Sequence, residues 1–144
     1  MTTSYSLAVI SDRLQAITRR LDADPVLPGK LLIYSGVRPA SGQPPAVSAV
    51  LLAQLVFPKP SLNNVTGSVL TLLNPATALV QATGDVTWAR LQNGSGDYVA
   101  DMDAGVDTAI CEVLIRKANG DLANTARLYA GGEISVTLAK HSEA

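Results

Sequence analysis

The chain has 144 residues, 47% of them hydrophobic and only 16% charged, with 11 Lys and Arg against 12 Asp and Glu. This apolar balance excludes a disordered chain, and without a cluster of basic residues nucleic acid is not an expected partner, because its phosphates need concentrated Lys and Arg. The length suits one domain with a sizeable core, and the longest apolar runs, Val47–Phe57 and Val69–Leu73, fall far short of the roughly 20 residues of a membrane-spanning helix, so no membrane association is expected.

The first residues, Met1 to Leu7, lack a basic stretch followed by an apolar one, so no secretory signal is expected and assembly in a cytoplasm is the natural reading. Leu7, Ile10, Leu14, Ile17 and Leu21 then recur at spacings of three and four, which predicts one face of an α-helix. Ser4 or Ser6 can cap its start, and Asp24-Pro25 with Pro28-Gly29 ends it near Asp22. Residues 1–24 thus read as a helical arm on a stiff linker, Ala23–Gly29, and residues 25–144 as a β-sandwich domain, together one globular unit. The stripe has the width of a coiled-coil seam but spans about two heptads, too short to be stable alone. It must be covered by a sandwich, and a neighbouring subunit's is favoured over the chain's own.

From Lys30 onward, short apolar and β-branched runs alternate with Gly, Pro and Asn, which predicts an antiparallel β-sandwich, jelly-roll-like, of about eight strands. The candidates are Lys30–Ser35, Val50–Phe57, Val69–Leu73, Thr77–Ala82, Val86–Gln92, Asp97–Asp101, Ile110–Arg116 and Glu133–Ala139. The clearest hairpin folds at Asn93-Gly94-Ser95-Gly96, Asn-Gly being a preferred tight-turn pair, and places Trp88 as a core anchor. Leu122–Leu128 has room for a helical turn and no more, and in Glu133–Ala139 the residues Ile134, Val136 and Leu138 share one face. The proline-rich segment Val37–Ala46, with Arg38, Pro44 and Pro45, reads as an ordered surface loop that can lie flat against a partner. The expected interface residues are therefore Leu7, Ile10, Leu14, Ile17, Leu21, Arg38, Pro44 and Pro45.

No catalytic set is legible. His141 is the only histidine and sits near the carboxyl end, whereas triads and histidine metal sites need positioned imidazoles. Asp101, Asp103 and Asp107 lack the alternation and closing Glu of a calcium loop, and the glycines at 94, 96, 131 and 132 do not form a phosphate loop. Cys111, the only cysteine, reads as a structural thiol in a strand. No metal, cofactor or enzymatic activity is expected.

Five segments carry a resemblance: Asp12–Ile17 (DRLQAI), Gly29–Ala40 (GKLLIYSGVRPA), Leu51–Phe57 (LLAQLVF) ahead of a proline, Gly84–Arg90 (GDVTWAR) and Gly131–Thr137 (GGEISVT). Their order over most of the chain resembles the small virion proteins of tailed bacteriophages, nearest to the jelly-roll capsid cement, or decoration, proteins. The resemblance implies a virion structural protein that binds the outer surface of an icosahedral head and stabilises contacts between major capsid proteins. It also implies a homo-oligomer, most often a dimer, a place on the capsid exterior after assembly in the host cytoplasm, and no catalytic residues. Two alternatives stand beside it: a tail or neck component with a similar sandwich, and a carbohydrate-binding β-sandwich module using Trp88 or Tyr98.

Overall fold

The computed structural model describes residues 4–117, 119–138 and 141–142. Its single helix, α1 (Leu7–Leu21), starts at Ser6, whose hydroxyl accepts from the backbone N–H of Val9, and ends at Asp22 with Arg19 and Arg20 in the last turn. Basic residues there complement the negative end of the helix dipole.

The rest of the described chain is mainly β. The strands are β1 (Lys30–Tyr34), β2 (Leu51–Val56), β3 (Leu62–Thr66), β4 (Val69–Leu72), β5 (Ala78–Leu79), β6 (Gly84–Asp85), β7 (Trp88–Gln92), β8 (Tyr98–Gly105), β9 (Val113–Arg116), β10 (Arg127–Leu128), β11 (Glu133–Leu138) and β12 (His141–Ser142). Seven of them form one sheet in the order β2-β1-β7-β8-β9-β11-β5. Its two edges come together: the N–H of Ala76 donates to the carbonyl of Val56 at 2.9 Å and that of Gln81 to Leu52 at 2.7 Å. The sheet is thereby nearly closed into a barrel, which protects its edges from stray pairing. β12, β4 and β3 make a second small sheet, and β10 pairs with β6.

Register decides which side chains fill the barrel. Leu31 of β1 lies opposite Leu55 and Leu91, and Ile33 opposite Ala53 and Ala89. All six are buried in the main core, which Phe57, Val113, Ile134 and Val136 extend. Each fully buried Val, Leu, Ile or Phe contributes about 1.5–3 kcal/mol. Because side chains alternate across a strand, Tyr34, Trp88 and Arg90 point to the outer face.

The helix is not an arm held out for a neighbour. Ile10 and Leu14 pack with Leu70 in a second core cluster, flanked by Ile17, Leu62, Val65 and Leu72 of the same chain. Leu21 reaches into the main core and is fully buried. The expected preference for a neighbouring subunit's sandwich is thus corrected: the β3–β4 hairpin supplies the surface. The Asp22 carboxylate fastens this layer by accepting from both the N–H and the hydroxyl of Ser61, each at 3.1 Å.

Asp24 secures the linker on the other side. Its carboxylate accepts from the N–H of Leu27 at 2.7 Å, from the N–H of Val26 at 2.9 Å and from the Ser95 hydroxyl at 2.7 Å. The bond from Leu27, followed by that from Ser95, holds its pKa down at about 2 against an ordinary 3.8. A carboxylate whose folded pKa is depressed stabilises the fold above its unfolded pKa and loses that contribution as pH falls through the folded one. Asp24→Ala is therefore expected to lower Tm by a constant amount above pH of about 4, with the gap from wild type closing as pH falls toward about 2. Thermal melts across that range check it.

Other differences from the expected elements have physical reasons. Among the described residues one strand pair, β8 with β9, is parallel, and it overlaps only at Ala104–Val113 and Gly105–Leu114. Cys111 lies half-buried in the loop before β9 rather than in a strand, and burial pushes its thiol pKa up. Leu122–Leu128 holds no helical turn: Leu122 bridges Arg116, and Arg127 and Leu128 are extended. The Asn93 turn is wider than a two-residue hairpin, since Asn93 N–H donates to Asp97 and the positive φ falls at Gly96, not Gly94. Gly94 is required for another reason: a Cβ there would lie 2.3 Å from the Leu27 carbonyl oxygen.

Candidate interaction surface

Residues 36–50 form a loop whose ends meet where Ser35 N–H donates to the Val50 carbonyl at 3.0 Å. A compact surface loop with joined ends and internal packing is a common carrier of function. Gly36 takes a positive φ of 90°, which disfavours any side chain at the loop entrance, and a Cβ there would lie tight against the Ala49 backbone at 3.3 Å. Two local turns, Gln43 N–H to Ala40 and Ala49 N–H to Ala46, shape the rest.

The outer face of β7 and β8 pins this loop. The Trp88 ring stacks on Tyr34 with centroids 4.4 Å apart and planes at 9°. Arg90 lies over both Trp88 and Tyr98, at 5.4 Å and 5.0 Å. Its Nε donates to Asp101 Oδ1 at 2.8 Å and its Nη2 to Asp101 Oδ2 at 3.0 Å, a bidentate pair. Both side chains are 6% exposed. The same Nη2 donates to the backbone carbonyl of Gln43 at 2.7 Å, so a buried guanidinium is the anchor bolt of the loop. Asp101 raises the Arg90 pKa further through this hydrogen bond. Thr87 donates its hydroxyl to the Gly36 carbonyl, and Ser41 lies 3.4 Å from the Tyr98 hydroxyl. The Arg38–Asp103 pair at 3.5 Å is exposed and contributes little.

What the pinned loop shows to solvent is apolar and almost uncharged. Val47 is fully exposed, Val37 is 80% exposed and Val50 is 43% exposed, with Pro44 exposed and Pro45 half-buried beside them. Arg38 is its only charged residue. The structure therefore divides the interface residues expected from sequence. Ile10, Leu14 and Leu21 belong to the chain's own core and Ile17 is half-buried at its seam, so these four are withdrawn as a free contact face. Leu7 is 65% exposed at the start of α1, near Tyr5 and Val9, which are also exposed. Arg38, Pro44 and Pro45 fall on the pinned loop. Val37, Val47, Val50 and the Arg90–Asp101 anchor escaped the sequence reading.

The carboxylates that lack a calcium-loop pattern, Asp101, Asp103 and Asp107, are each engaged. Asp101 holds Arg90, Asp103 meets Arg38, and Asp107 accepts from the N–H of Ala109. Among the described residues no group of three or more His, Cys, Asp or Glu is arranged to hold a metal ion. None of the described helices is long and apolar enough to cross a membrane. Trp88 is fully buried beneath this arrangement, so its face is closed to a stacking sugar.

No family model, curated protein or solved structure matches the chain.

Proposed function

We propose that this chain is a virion structural protein, a cement subunit that docks on the outer surface of a tailed-phage head and bridges major capsid proteins through the 36–50 loop. The observation that carries the reading is a contact surface ordered before any partner arrives: exposed Val37, Val47 and Pro44 on a backbone held by a buried arginine. Pre-ordering cuts the entropy lost on docking. A weak site repeated over many copies then adds up to strong reinforcement of a shell. The order of sequence segments resembling cement proteins supports the same assignment, and the protein acts in it by binding rather than by catalysis.

The sugar-binding alternative loses its main platform with Trp88 buried, and the head is preferred to the tail or neck on the resemblance. Because the loop is nearly neutral, shell binding is expected to depend weakly on salt, unlike an electrostatically steered association. The test is to add labelled protein to heads lacking it. Wild type should saturate at a fixed copy number on the shell surface, whereas Val47→Asp should bind at least about tenfold more weakly while melting normally, since burying an unpaired charge at a contact is costly. Equal binding by Val47→Asp would remove the loop from the interface, and no shell binding by either would remove the cement role.

A further inference from the structure

The two core clusters meet incompletely. Only the half-buried Ile17 and Leu72 pack against both, and between the α1/β4 layer and the barrel wall lies a void of about 100 Å³. Leu70, Leu91, Met102 and Leu138 complete most of its lining with Ile17 and Leu72. The carboxyl-bearing residues that touch it are Glu112 and Asp101, and the Asp101 oxygens are held by Arg90. The lining is mostly apolar, a water held there needs two to four polar partners, and apolar atoms facing such a space forfeit contacts that a guest of matching shape restores.

We propose that this seam binds a small neutral apolar molecule, of an aliphatic kind and smaller than benzene. The size follows from the volume, since benzene is accepted by a cavity of about 150 Å³ and this one holds about 100 Å³. The aliphatic preference follows from a lining of Leu, Ile and Met side chains without an aromatic ring to stack on. Access follows from the half-buried state of Ile17, Leu72, Ala100 and Leu138, between which the void reaches the surface. Occupancy joins the helix layer to the barrel, because the guest touches both.

Xenon and cyclopropane are the probes, applied to the full chain with methyl resonances as the readout. Saturable shifts are expected at Ile17, Leu70, Leu72, Leu91, Met102 and Leu138, with Tm rising as probe concentration rises. Ala100→Leu, or Leu72→Phe if the first variant does not fold, should fill the space and abolish those shifts while leaving Val37 and Val47 unaffected. Shifts spread over exposed methyls, shifts that persist in a folded filled variant, or no response to either probe would overturn the proposal. Because the readout needs no shell, its failure is separable from failure of the docking role.

Discussion

Asp101→Ala is expected to destabilise the protein by about 3–5 kcal/mol, the cost of leaving a buried guanidinium without its counter-charge. Arg90 and Asp101 are both 6% exposed and joined by two hydrogen bonds, so solvent cannot take over the lost carboxylate. The loss should appear in urea denaturation as a lower midpoint with an unchanged slope. A second variant separates stability from loop order. Replacing the pair together, Arg90→Met with Asp101→Leu, removes both charges and should recover most of the stability. It still deprives the Gln43 carbonyl of its donor. Amide exchange across residues 36–50 should therefore be faster than in wild type in the double variant, and shell binding should be weaker. Recovery of slow exchange would show that Arg90 does not order the loop.

The second large effect lies in the helix layer. Leu14 is 2% exposed and sits with Ile10 against Leu70; Leu14→Ala is expected to cost about 2–5 kcal/mol. Leu7→Ser, on an exposed position of the same helix, should stay within about 0.5 kcal/mol. Deleting residues 1–24 uncovers Leu70 and the partly buried Leu62 and Val65, so the truncated monomer should melt well below the intact protein. A truncated monomer as stable as wild type would return the helix to the role of an arm for a neighbour.

The helix was legible because three-four spacing is a local property, and its cap and stop follow from Ser6, Pro25 and Pro28. Its partner was not legible. β3 reads Leu-Asn-Asn-Val-Thr, too polar to announce a strand, and only its Leu62 and Val65 touch the helix layer. The length of β8 was hidden similarly, because Asp101 and Asp103 look like turn residues until Arg90 is placed opposite the first of them. A signal existed for that anchor: Arg90 sits between Ala89 and Leu91 on the strand entering the hairpin, and a charge in such company needs a buried partner. Counting outward from Asn93 and Asp97 brings Ala100 across from it; only the register shift between Leu91 and Gln92 puts Asp101 there, so the partner itself was not legible. The apolar display at Val37, Val47 and Val50 had no such signal, since exposure of a valine in a loop depends on how the loop is pinned.

A cement subunit must reinforce the shell that it binds. The direct measurement is the temperature at which phage heads lacking the protein break open, recorded with no addition, with wild type and with Val47→Asp. The expected result is a saturable rise in disruption temperature with wild type and little or none with Val47→Asp. An unchanged disruption temperature at saturating wild-type protein would contradict the account.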